Sequence, residues 1–423
     1  MSVAFPAEVQ SWRYRVFAST WLCYVGYYFC RKPFYTAKAD LGVALDLDAT
    51  YLGNIGAAYS MAYMVGHFLA GGLGTRFGAR VVLMAGMTAS IGLNVAMGGA
   101  STGTILLGLM TLNGLAQATG WSNNVGTMAA WFHRLERGRV MGLWSTNFTT
   151  GSLLSTWVAS SVIGLWGYQA SFGVGAAVLG AVLVFFYFNQ RNKPEDLGFA
   201  RIEDPSHRPE ANEAPEPTSG PLFTRQALIN VLLIGGFYFF LKFIRYAVWS
   251  WAPFLLKGRF GLSSADAGIY STLFEIFGVL GTITIGFLSD KVFGGRRALV
   301  SLWMTVGLAF ACGVFFQYGQ ESLVLFTICL GLVGFFLFGP DALMTGAGAI
   351  DVSTRRSATA ASGIISGLGA IGQVVQDPII GRLYDTGGGE IGGIIAFLFG
   401  SAACAAAALG VLVWRAQKGL ARV

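Results

Sequence analysis

Two arginines, Arg31 and Arg245, stand inside stretches that are otherwise apolar enough for a lipid interior, 214 residues apart in a chain of 423. Each occupies the corresponding place in the first long apolar stretch of its half of the chain. A lone guanidinium at mid-bilayer depth costs from about 2.5 to more than 10 kcal/mol, so such a residue lines a polar cavity and meets a partner. Its rigid fork of N–H donors fits the oxygens of phosphate two at a time, with geometry that lysine does not offer. Two such cations facing one cavity predict an anionic ligand. Lys242 precedes Arg245 by one helical turn on the same face and adds a third cation. Tyr24 and Tyr28 share a face with each other, and Tyr28 precedes Arg31 by three residues. Two roles are open to these tyrosines, completing an oxygen shell with their hydroxyls or packing between helices.

The elements that position these residues are membrane helices. Charged residues make up only 12% of the chain and hydrophobic ones 54%, with a mean hydropathy of +0.59, whereas soluble domains carry about 25% charged residues. Hydropathy gives about twelve stretches, near 14–38, 51–74, 79–98, 102–130, 139–163, 168–189, 226–256, 265–289, 298–317, 322–350, 357–383 and 391–414. Each is long enough to cross a hydrocarbon core of about 30 Å. The expected fold is an all-α, multi-pass membrane protein. The start up to Arg15 is polar and the apolar stretch after it is too long for a signal peptide, so the first helix is expected to stay in the membrane.

With the N-terminus inside, 20 of the 28 basic residues fall on cytoplasmic segments. The net charge of +7 therefore reads as a topology signal with both termini cytoplasmic, and not as a nucleic-acid surface. The bacterial inner membrane is the simplest location. The five cysteines lie in apolar runs without a CxxC pair and read as small packing residues, with no metal and no cofactor implied. No nucleophile, base and orienting group converge, so no catalytic residue is assigned and an enzyme is not expected.

A polar, proline-rich stretch at 190–225 separates six spans from six, dividing the chain into halves 1–189 and 226–423 around a flexible linker. A repeated element supports the division. GGLGTRFGAR follows the second span with Gly71, Arg76, Gly78 and Arg80, and GFLSDKVFGGRR follows the eighth with Gly286, Asp290 and Lys291. These loops resemble the signature of the major facilitator superfamily, in which a small residue lets two helices approach while acid and base pair as part of the gate. Thr75 replaces the acid in the first copy. The resemblance implies twelve transmembrane helices in two six-helix halves with a central site.

Around the arginines the sequence reads WLCYVGYYFCRKPFYTAKADL and FYFFLKFIRYAVWSWAPFLLKGRF. It is similar to the organophosphate:phosphate antiporter family, which includes the glycerol-3-phosphate and hexose-6-phosphate exchangers. The carriers are Tyr24, Tyr28, Arg31 and Lys32; Gly120, Trp121, Trp131 and Phe132; Glu136 and Gly138; Arg245, Tyr246, Trp251 and Pro253; Glu275; and the run SDKVF. The resemblance implies that both arginines take the phosphoryl group and that rocking of the halves exchanges an organophosphate for inorganic phosphate. It further implies a protein that works as a monomer in a lipid bilayer, with phosphate and organophosphate as its partners.

The chain departs from the glycerol-3-phosphate exchanger at three places. His67 stands where that protein has a lysine, Phe148 where it has a histidine, and Lys242 where it has a tyrosine. His67 is thus expected to face the site. Lys242 either binds substrate or pairs with Glu275 or Asp377, and Asp377 either reads a substrate hydroxyl or forms a salt bridge. Asp341, after Gly339 and Pro340, is expected to cap a broken helix. Gln117, Asn123, Asn124, Asn147 and Gln373 are candidate hydroxyl readers or interhelical hydrogen-bonding groups, and Lys32 and Lys38 either steer anions or snorkel. A sugar-phosphate sensor and a proton-coupled carrier of another anion are the alternatives to exchange.

Overall fold

The computed structural model of the protein describes residues 5–202, 223–293, 296–344 and 358–420. Two of the stretches expected from hydropathy extend outside the described residues, at 345–350 and 357, and within the described residues each stretch carries helix. In chain order these are α1 (Ala7–Phe29), α2 (Lys32–Thr36), α3 (Lys38–Leu45), α4 (Ala49–Phe77), α5 (Ala79–Gly98), α6 (Gly103–Gln117), α7 (Thr119–Trp131), α8 (Arg134–Trp144), α9 (Thr146–Trp166) and α10 (Tyr168–Asn189). From Arg225 onward come α11 (Arg225–Phe260), α12 (Ser264–Ser271), α13 (Leu273–Lys291), α14 (Arg297–Tyr318), α15 (Leu323–Leu343), α16 (Ala358–Thr386) and α17 (Gly392–Gln417).

Among the described residues, nine helical segments are long and apolar enough to cross a membrane. The stretches that fall short of that criterion are 14–38, 51–74 and 102–130. The first is cut after Phe29 and the last at Ala118, and the middle one is rich in glycine and tyrosine. These same three stretches carry Arg31, His67 and Gln117, so continuous apolar helix gives way where polar side chains gather.

The chain divides into two compact units, one of Met1–Leu45 with Ala58–Ala214 and the other of Asp46–Ala57 with Pro215–Val423. In the first, α1 packs on α7, α9 and α10, and α5 on α6, α7 and α10. In the second, α11 runs along α16 and α17, α13 lies on α15, and α14 lies on α15 and α17. The first turn of α4 belongs with the second unit, where Asp385 on α16 accepts from the backbone N–H groups of Ala49 (3.2 Å) and Thr50 (2.7 Å). A carboxylate there satisfies donors that an α-helix leaves open at its start.

Outward side chains are apolar, as at Phe68, Phe310 and Trp166, whereas Ser90, Asn94, Asn113 and Gln117 are fully enclosed. That inversion suits a protein whose solvent is lipid. Helix contact in lipid rests on close van der Waals packing, which small residues permit. A Cβ added to Gly281 would lie 1.8 Å from the Phe335 carbonyl oxygen, and one on Gly334 would lie 2.0 Å from that of Phe274. The backbones of α13 and α15 thus touch through two glycines. Gly71 and Gly286, the loop glycines expected to bring helices together, meet nothing within 4 Å at that position. Close approaches in α4 come instead at Gly53, Gly56, Gly66 and Gly74, and at Gly74 an added Cβ would fall on the Asn123 side chain.

Candidate functional site

In the first unit the site grows from a broken helix. α1 ends at Phe29 and α2 begins at Lys32 with Pro33 in its first turn, which leaves the Cys30 carbonyl outside the helical ladder. At membrane depth such a group must be met by side chains. Three amides do so, donating to the Cys30 oxygen from Asn94 (3.0 Å), Asn113 (2.8 Å) and Gln117 (3.0 Å).

Gln117 also turns its own oxygen to Arg31 Nε (2.9 Å) and to the Tyr59 hydroxyl (2.9 Å). The break that frees Arg31 from a regular helix and the group that aims it are therefore one network. The guanidinium carbon lies 4.8, 5.5 and 4.9 Å from the ring centres of Tyr28, Tyr59 and Tyr63, within the range of cation–π attraction. Arg31 Nη2 is buried and has no hydrogen-bond partner among the described residues. An arginine tied at Nε and walled by aromatic faces keeps its terminal donors in one plane for an anion.

The structure places the other expected residues of this unit at graded distances from that centre. Tyr28 presents its ring to Arg31, and Tyr24 meets the Tyr63 hydroxyl (3.2 Å) and packs edge-on against Trp121. His67 is half-buried and sits edge-on to Tyr63 with ring centres 4.4 Å apart, one layer out from Arg31. Lys32 and Lys38 are both buried, Lys38 beside the Phe34 and Tyr35 rings, so neither snorkels. Asn123 is spent on the Thr119 carbonyl (2.9 Å).

In the second unit, Lys242 and Arg245 project from one face of α11 and both meet Asp341 on α15. Arg245 forms a hydrogen-bonded ion pair with it, and Lys242 Nζ lies 3.4 Å from its Oδ1. Asp341 is not a cap, since it lies within α15, two residues before the end of that helix at Leu343. Phe338 backs the Arg245 guanidinium at 4.2 Å, and Tyr238 and Tyr246 flank Lys242 at 4.8 and 5.7 Å. The counter-ion that Lys242 meets is thus neither of the two expected acids. Asp377 accepts instead from the Ser250 hydroxyl (2.6 Å), and a Cβ on Gly56 would lie 2.4 Å from its Oδ2.

The loop residues make local contacts of their own. Arg76 lies over the Phe77 ring (5.2 Å), Gly78 takes a left-handed φ of 84°, and Arg80 donates to the Tyr187 carbonyl. The Thr75 hydroxyl turns back to the Gly72 carbonyl (2.8 Å) and supplies no charge. Lys291 lies over Phe287 (4.9 Å), and the Asp290 side chain falls outside the described residues. Glu136 pairs with the buried Arg13 of α1.

Tyr59 and Tyr63 are site residues that the sequence reading passed over. Their signal is the four-residue spacing Tyr59, Tyr63, His67, which sets all three on one face of α4. Replacing Gln117 with leucine is expected to weaken anion binding at Arg31 about tenfold, the loss of one hydrogen bond to a charged group. Titration of the purified protein with an anion checks this, and an unchanged affinity would leave Gln117 with the Cys30 carbonyl alone.

The family model of the Major Facilitator Superfamily matches residues 20–375. The chain is 30% identical over 416 residues to the Probable hexose phosphate transport protein of Chlamydia pneumoniae, covering 94% of this chain and 90% of that protein. It is 26% identical over 390 residues to the membrane sensor protein UhpC of Escherichia coli (strain K12), covering 90% and 88%. Among solved structures, a peptide transporter POT in complex with sulfate superposes with a TM-score of 0.76 over 97% of this chain and 96% of that one, at 14% identity, which speaks to the fold alone. A helical membrane chain of this kind, matched over most of its length by the superfamily model and by hexose phosphate transport proteins, belongs to the Major Facilitator Superfamily and within it to the organophosphate:phosphate antiporter family.

Proposed function

We propose that this protein is a secondary active transporter that exchanges an organophosphate, such as a sugar phosphate, for inorganic phosphate by alternating access. The observation that carries this reading is that each unit sets an arginine in its first long helical stretch, Arg31 after α1 and Arg245 in α11, within an aromatic surround. Arg31 in the first unit, and Arg245 with Lys242 in the second, are the groups that bind phosphoryl oxygens. Tyr24, Tyr28 and His67 support binding in the first unit, and Asp377 in the second reads a hydroxyl of the organic moiety. Arg76, Gly78, Arg80, Asp290 and Lys291 serve the gate. Transport needs no nucleophile, so the protein is not an enzyme. It resides in a bacterial inner membrane with both termini cytoplasmic and acts as a monomer.

Counterflow tests the proposal. Proteoliposomes loaded with unlabelled phosphate are expected to take up labelled phosphate, empty ones are not, and external sugar phosphates are expected to inhibit the uptake. A sensor of sugar phosphates is the second reading, favoured by the 26% identity to a membrane sensor protein. Saturable binding of a sugar phosphate without counterflow would establish it instead.

A further inference from the structure

Asp341 has no part in the phosphoryl chemistry just described, yet it meets both cations of the second unit. The contact is tertiary, joining residues 96 apart in sequence through the packing of α15 beside α11. The side chains of Lys242 and Arg245 keep 16% and 18% of their exposure, whereas that of Asp341 keeps 6%. The acid therefore holds the pair from its buried side and leaves the accessible side to the cations. With Asp341 ionised, the three groups carry a net charge of +1, against +2 for the two cations alone.

In a medium of low dielectric constant, one unit charge several ångströms from a bound anion changes its affinity by about an order of magnitude or more. An exchanger must also release what it binds, so binding has to be strong enough to admit the anion and weak enough to let it go. We propose that Asp341 sets this balance: it fixes Lys242 and Arg245 in one geometry, and its charge weakens their hold on phosphate so that the anion leaves. It is a positioning and affinity-setting residue and does not touch the substrate. The inference rests on the reading of Lys242 and Arg245 as phosphoryl-binding groups.

Asp341→Asn keeps the shape and an acceptor oxygen while removing the charge. With labelled inorganic phosphate in proteoliposomes, it is expected to lower the KM about tenfold and to lower the maximal exchange rate at least about fivefold, as a trap would. A residue that merely supported the fold would raise the KM or lose protein, and an unchanged or raised KM overturns the proposal. If Asp341→Asn is not recovered from membranes, Lys242→Gln and Lys242→Gln/Asp341→Asn carry the same test without two uncompensated cations. The double variant is expected to show a KM about tenfold below the single one, and equal values overturn the inference. Parental exchange in Arg245→Lys would remove the reading of Arg245 as a phosphoryl-binding group and this inference with it, and would leave the exchange function in place. An inert Arg245→Lys beside an unchanged KM in Asp341→Asn removes this inference alone.

Discussion

Arg31→Lys and Arg245→Lys are each expected to reduce phosphate counterflow by about a hundredfold or more while the protein still inserts. Charge is conserved in both, so the loss falls on geometry. A lysine offers a point charge on a flexible stem in place of a planar fork. Hydrogen bonds to charged groups contribute about 1.5–3 kcal/mol each, and losing two of them amounts to two decades or more. At position 31 a lysine also lacks the Nε–H that holds the side chain to Gln117. At position 245 an ammonium still pairs with Asp341, which keeps the acid from being stranded and makes misfolding a poor explanation for lost flux. Initial rates normalised to reconstituted protein check both variants, and near-parental exchange in either would sink the assignment of that arginine to the phosphoryl group.

Gly281→Val is expected to give the largest loss of stability. Its Cβ would enter the space of the Phe335 carbonyl oxygen, 1.8 Å away, and backbone yields only if α13 and α15 move apart. Overpacking of this sort costs about 1–3 kcal/mol when neighbours can adjust, and here the reciprocal contact of Gly334 with the Phe274 carbonyl is strained by the same separation. A fall in melting temperature of about 2–12 °C in detergent is expected, given shifts of about 2–4 °C per kcal/mol in a folding unit of 150–250 residues, the size class of the second unit. Gly286→Ala, on the same helix with nothing within 4 Å of the added carbon, is the control. Equal melting of the two variants would contradict the crossing as described.

Where the sequence reading stopped short, the missing information was spatial. The break after α1 carried a signal, since Pro33 in a first turn marks a helix start, but the hydropathy of 14–38 hides it. The break at Ala118 carried none, because only the meeting of α6 with the Cys30 carbonyl gives Gln117 its task. Gln117 stood among the candidate hydroxyl readers, and three hydrogen bonds within one network give it a different role. Tyr59 and Tyr63 were legible by spacing alone, since they share a helical face with His67.

Composition and periodicity determined the helices, their apolar outward surfaces and the arginines set within apolar stretches. Those features depend on contacts between near neighbours along the chain and on transfer of side chains to lipid, both of which are written in local sequence. The pairing of charges is of another kind. Glu275 and Asp377 were the partners expected for Lys242 on paper, with Asp341 read as a cap, and Coulomb energy falls with distance, so the packing of α15 beside α11 decided for Asp341. The aim of Arg31 was settled in the same way, by amides from α5 and α6 that converge on a single broken turn.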